Sequence, residues 1–217
     1  MIEILLAELR KQVMLANIQL ETNGLVIYTW GNVSAIDQAS KLVVIKPSGI
    51  PYHDLTPEKM VIVDLKGLVV EGDLRPSSDL PTHLELYRSF PNIGAVAHTH
   101  SCWATAWAQA GEDIPCKGTT HADYFLGEIP CTRALTKEEV ANNYELNTGK
   151  VIVERMAGLN YAYTPAVLVA EHGPFTWGKD AFEAVYHSTV LETVAKMAFI
   201  TRCLKGNSEP MSEYIME

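Results

Sequence analysis

The chain has 217 residues, 47% apolar and 20% charged, a composition that suits a globular protein with one substantial core. Its formal net charge of −9 excludes a general nucleic-acid or anionic-membrane surface, so an anionic substrate would have to be held by local donors. With no repeat, low-complexity linker or charge block, the expectation is one continuous domain over residues 1–217.

The opening stretch, MIEILLAELRKQVMLANIQLE, places Glu3, Glu8, Arg10 and Lys11 among its apolar residues, unlike an export signal. The spacing of Leu5, Leu6, Leu9, Val13 and Ala16 predicts a helix over 3–22, stopped at Gly24. Strand-rich stretches follow at LVIYTWGNVSAID (25–37), KLVVIKPSG (41–49) and MVIVDLKGLVVEG (60–72), the last a hairpin turning over Asp64 to Gly67. SSDLPTHLELYRSF (77–90) begins with cap-type residues and a proline and becomes helical. GAVAHTH (94–100) is a strand, and Ser101 is placed as the cap of the helix CWATAWAQAG (102–111). After a loop with short elements, YTPAVLVAEHG (163–173) supplies another strand, and residues 179–204 form a long closing helix. Glu183, His187, Glu192 and Lys196 interrupt that helix's apolar run, so it is not a membrane span. Hairpins mixed with helices, without regular βαβ alternation, predict a layered α/β domain whose sheet is largely antiparallel.

Cys102, Cys116, Cys131 and Cys203 form no CxxC pair and no dense framework; free thiols in a reducing, cytoplasmic setting are expected.

Two histidines, His98 and His100, sit one residue apart at the end of an apolar strand. Alternate side chains share a strand face, so both imidazoles point the same way and can supply two metal ligands without distorting the backbone. The bland reading is a strand-end pair bonded to backbone. His172 also ends an apolar run, with Gly173-Pro174 expected to turn the chain after it, and there is no HExxH helix. The three suggest a three-histidine site assembled from two strands. Cys102 shares strand parity with His98 and His100, but a helix starting at Ser101 should turn it away. His187 reads as a packing residue, while His53, His83 and His121 stay undecided on spacing alone.

Three short stretches suit an anion: TWGNVSA (29–35), KPSG (46–49) and PSSD (76–79). Each offers small hydroxyl or amide side chains, two contain glycine, and the last precedes a helix whose free N–H groups favour negative charge. Any one of them reads equally as turn and cap chemistry; all three ahead of the histidine pair point to a phosphorylated substrate.

With IKPSG, RPSSDLPTH, AVAHTHS, GTTHADYFLGEIPCTR and EHGPFTWG added to TWGNVSA, the chain resembles the class II aldolase/adducin family, and within it the L-ribulose-5-phosphate 4-epimerases, from the first helix to about residue 205. The resemblance implies a three-layer αβα domain with a largely antiparallel central sheet flanked by helices, and a homotetramer with active sites between subunits. It implies a divalent metal, usually zinc, on His98, His100 and His172, with Asp79 as the fourth protein ligand. Its substrate and phosphate contacts fall on Gly31, Asn32, Ser48, Gly49, Ser77 and Ser78, with Lys46 close by; its acid/base aspartate falls on Asp123, with Thr119 in the same loop. The implied reaction interconverts L-ribulose 5-phosphate and D-xylulose 5-phosphate by retro-aldol cleavage between C3 and C4 and re-addition, in a setting such as arabinose or ascorbate breakdown.

One departure from the family stands out. Its second acid/base group is a tyrosine in a C-terminal tail, whereas this sequence ends at MSEYIME, and Tyr214 does not match that motif. The alternatives are a sugar-phosphate aldolase of the L-fuculose-1-phosphate type, which carries glutamate where this chain has Asp79, and a metal-free adducin-like interaction domain, against which the three histidines count. Nothing marks the additional base an unrelated zinc hydrolase would need.

Overall fold

The computed structural model describes residues 2–206 and 211–212, with the backbone alone at 2–5; Tyr214 lies outside the described residues. Helix α1 (Ile2–Thr22) ends as expected. Gly24 takes a φ of +68°, the Leu25 amide reaches back to the Leu20 carbonyl and the Gly24 amide to that of Glu21, closing the helix in a Schellman motif. In chain order there follow β1 (Asn32–Asp37), β2 (Leu42–Ile45), β3 (Val61–Asp64), β4 (Val69–Glu71), α2 (Leu80–Ser89), β5 (Ala95–His98) and α3 (Cys102–Ala110). Next come α4 (Thr119–Ala122), α5 (Lys137–Ala141), α6 (Tyr144–Met156), β6 (Ala166–Val169), β7 (Gly173–Gly178) and α7 (Ala181–Lys205). The strands form one sheet in the order β4-β3-β2-β1-β5-β7-β6, and every neighbouring pair is antiparallel.

Strand alternation makes the layers. Val33, Ala35, Val44, Ala95 and Ala97 pack under α1 and the start of α7. Their neighbours Ile36, Val43, Ile45, Val96, Phe175 and Trp177 face the other way, onto α2 and α6. A third apolar cluster joins α3, α7 and β6 to the 114–131 segment. Helices on both faces of an antiparallel sheet give the αβα sandwich that the sequence predicts.

Several boundaries differ from expectation. Residues 25–31 are not strand: Tyr28 has a φ of +55°, and the ladder begins only at Asn32. The segment after His172 continues straight into β7, and the turn precedes it, closed by the His172 amide on the Val169 carbonyl. A full helix, α6, stands where short elements were expected. Its sequence YELNTGKVIVERM is weak in local propensity, with a glycine and four β-branched residues, and its formation is a packing decision. Gly149 makes that packing possible, since a Cβ there would stand 2.6 Å from the Cβ of Glu85 on α2.

Ser101 occupies the N-cap position of α3, but its side chain bonds no helix amide. The cap comes instead from α7: the Glu192 carboxylate accepts from the amides of Trp103 (2.9 Å) and Ala104 (2.9 Å). Glu192→Ala should therefore cost about 1–2 kcal/mol of stability, read as a lower urea midpoint with an unchanged slope. All four cysteines are free, and no helix among the described residues is long and apolar enough to cross a membrane.

Candidate metal centre and substrate cavity

His98 is the last residue of β5, paired with Asn32 of β1 on one side and Phe175 of β7 on the other. Its Nδ1 lies 2.9 Å from the Pro174 carbonyl, a bond in which only the ring can donate, so the Nε2 lone pair is left free. That Nε2 is 3.1 Å from Nε2 of His100. The β6–β7 turn delivers His172 to the same place, completing a group whose ligand atoms all lie within 4.8 Å of one another. The turn approaches closely because Gly173 has no side chain: a Cβ there would stand 2.9 Å from the Thr99 carbonyl oxygen. On the other flank Gly31, at φ +77°, presses within 2.7 Å of the His98 carbonyl by the same measure.

These residues fit a metal ion. Tetrahedral ligation at imidazole bond lengths needs nitrogens about 3.3 Å apart, close to the His98–His100 spacing. Nδ1 of His172 is buried with no hydrogen-bond partner. Burial first, then the neighbouring imidazoles, pushes His98 and His172 down to about 3, and burial also lowers His100. All three are accordingly neutral, as ligation requires, at ordinary pH. Asp79 lies beside this group: Asn32 Nδ2 donates to its carboxylate at 2.6 Å, and its charge acts on both His100 and His172.

The three small-residue loops open onto one cavity of about 450 Å³, lined by Gly31, Asn32, Lys46, Ser48, Gly49, Ser77, Ser78, Asp79 and His100, with Thr29, Trp30 and Pro47. They are stitched together by backbone. The Ser48 amide bonds Arg75 O, the Ser77 amide bonds Lys46 O, and the Tyr52 hydroxyl bonds the Gly31 carbonyl at 2.9 Å. Ser77 and Ser78 precede α2, whose first turn offers an anion little of the backbone: the Leu80 amide bonds Ser77 O and residue 81 is a proline.

Lys46 is the cation of this cavity. Its side chain is 2% exposed, its ammonium lies over the Tyr52 ring at 4.9 Å, and it makes one long bond, 3.4 Å, to Pro47 O. Burial lowers its pKa to about 8. A phosphate monoester is already a dianion above its second pKa near 6, so the lysine alone titrates between pH 7.5 and 9.5. Affinity for 2-phosphoglycolate should fall roughly tenfold or more over that interval as the ammonium is lost, and Lys46→Met should remove the dependence; titration calorimetry at both pH values checks this.

A match to the family described as Class II Aldolase and Adducin N-terminal domain spans residues 11–199. The chain belongs to that family. It is 56% identical over 209 residues to the L-ribulose-5-phosphate 4-epimerase UlaF of Salmonella paratyphi C, covering 96% of this chain and 92% of that protein. Among solved structures it resembles an L-fuculose 1-phosphate aldolase, with a TM-score of 0.80, 25% identity, and 96% and 92% of the two chains covered. It also resembles YgbL of Escherichia coli, at TM-score 0.77 and 26% identity over 98% and 97% of the chains.

Two residues carried over from the class II aldolase/adducin resemblance lie elsewhere. Thr119 and Asp123 are exposed on and beside α4, and neither lines the cavity. The segment packs against α7 instead, with Tyr124 5.7 Å from Tyr186 and Phe125 6.2 Å from His187 between ring centroids. Of the remaining histidines, His53 is on the surface beside Asp54, and His187 packs in α7 with Nδ1 on Trp177 O. His83 is fully buried on α2, bonded through Nδ1 to Ser34 Oγ, which also meets the Tyr87 hydroxyl. His121 is the buried residue of α4. Cys102 is exposed and outside the histidine group. Sequence reasoning missed Tyr144, whose ring is 5.8 Å from that of His172; it enters on α6, the helix whose local pattern was too weak to read. It also passed over Trp30, although the indole lies inside a quoted loop.

Proposed function

We propose that the protein is an L-ribulose-5-phosphate 4-epimerase, interconverting that substrate and D-xylulose 5-phosphate in sugar catabolism of the arabinose or ascorbate type. The observation that carries the reading is a cavity whose wall joins three small-residue loops and Lys46 to His100, one member of the three-histidine group. Similarity to the Salmonella protein named as such an epimerase supports this reaction over aldol cleavage alone.

In this reading His98, His100 and His172 hold a divalent ion together with Asp79 as fourth protein ligand, and the three imidazole donors favour zinc. The ion would supply Lewis acidity toward the substrate's carbonyl and hydroxyl oxygens. Asn32 orients the Asp79 carboxylate, while Gly31, Lys46, Ser48, Gly49, Ser77 and Ser78 bind the substrate and its phosphate. Asp123, with Thr119 beside it, takes and returns the C4 hydroxyl proton on one face of the aldehyde. Because Asp123 lies outside its own subunit's cavity, the reading requires a neighbouring subunit to bring it, in a homotetramer of single-domain, cytoplasmic subunits. Exposed apolar side chains on α7, among them Phe182, Tyr186, Phe199, Ile200 and Leu204, support such assembly.

Product analysis decides the matter. The zinc-loaded protein given L-ribulose 5-phosphate should form D-xylulose 5-phosphate; dihydroxyacetone and glycolaldehyde phosphate alone would make it an aldolase, and no turnover with no bound metal would make it an interaction domain.

A further inference from the structure

The largest apolar side chain lining the cavity has no role in the chemistry above. Trp30 is 49% exposed and stands edge-on to His100, 6.2 Å between centroids, while most of the cavity wall around it is polar. Tyr28, 81% exposed, extends the aromatic surface outward from it at 6.2 Å. The indole's position is set from beneath. Its amide bonds Ile27 O at 3.1 Å, and the buried Tyr52 hydroxyl bonds the carbonyls of Trp30 and Gly31. A rigid backbone thus presents a flat apolar ring beside the path from the phosphate loops to the histidines.

We propose that Trp30 determines whether the cleaved substrate recombines or escapes, an inference that rests on the epimerase reading. Cleavage moves the C3–C4 electron pair onto the three-carbon fragment as the C4 hydroxyl proton leaves, giving the enediolate of dihydroxyacetone and glycolaldehyde phosphate. Epimerisation then needs the aldehyde to turn over while its phosphate stays held, and re-addition reverses both transfers on the other face of C4. A polar wall would hold the aldehyde oxygen in one orientation by hydrogen bonding. An indole face excludes water and confines the fragment without fixing it. When confinement fails, the enediolate takes a proton from water and the two fragments leave as dihydroxyacetone and glycolaldehyde phosphate.

The test compares the metal-loaded parent with Trp30→Ala and Trp30→Phe on L-ribulose 5-phosphate, trapping released aldehyde as its hydrazone. The ratio of glycolaldehyde phosphate released to D-xylulose 5-phosphate formed should rise about tenfold or more in the alanine variant and stay near the parental value in the phenylalanine variant. A second readout needs no turnover: 2-phosphoglycolate should shift the parent's tryptophan emission, and the shift should be missing from Trp30→Phe. An unchanged ratio in Trp30→Ala, a shift that survives in Trp30→Phe, or subunit dissociation of Trp30→Ala by sedimentation would overturn the assignment, the last by making the ring a subunit contact. If the parent forms no D-xylulose 5-phosphate, the epimerase reading falls and takes this one with it; product formed at an unchanged ratio sinks Trp30 alone.

Discussion

Replacing His100 with asparagine is expected to weaken metal binding by more than about 100-fold, since loss of an outer hydrogen-bond partner of a metal ligand already costs 10–100-fold. His100 is the informative position because its side chain is exposed, so truncation opens no buried cavity and the fold should keep its thermal midpoint without metal. His98 is a poorer choice: it is buried, stacked on Phe175 at 4.1 Å, and bonded to Pro174 O, so its removal would mix lost ligation with lost packing. Metal content after dialysis, beside a thermal melt of the metal-free protein, separates the two effects. A stoichiometric ion retained by a variant lacking all three histidines would disprove the site.

Asp123→Asn should lower turnover by about 10²–10⁴-fold, the range for a lost general acid or base. Metal content and 2-phosphoglycolate affinity should barely change, because Asp123 belongs neither to the histidine group nor to the cavity lining. The same separation offers a test of shared sites. Asp123→Asn and His100→Asn subunits, each inactive alone, should regain activity when dissociated and reassembled together, because some sites then combine an intact histidine group with an intact aspartate. Assembly of the mixed oligomer without recovery would place both groups in one subunit's site or remove Asp123 from the chemistry.

The legible parts of the site were those whose chemistry is local. The HxH pair was legible from strand periodicity, and although β5 ends at His98 with His100 just beyond it, the structure puts their Nε2 atoms 3.1 Å apart. The small-residue loops could be named one at a time from composition. That the 46–49 and 75–77 segments are bonded to each other, with the Tyr52 hydroxyl tying in Gly31, could not be read, because those bonds join residues distant in sequence. Gly173-Pro174 was misplaced as a turn for a related reason: glycine and proline usually punctuate, but here Gly173 serves close approach to Thr99 within β7.

Sequence by itself determined the candidate ligand types, the layered antiparallel class and the family, because periodicity, donor chemistry and long ordered motifs are properties of neighbouring residues. Tertiary structure decided the rest. It put His172 opposite His98 through the β6–β7 turn, gave α3 its cap from Glu192 on α7, stabilised α6 against its own weak propensity, and left Asp123 outside the cavity. Each of these depends on which surfaces meet when the apolar faces of the sheet are buried, and that is a property of the whole chain that no local stretch encodes.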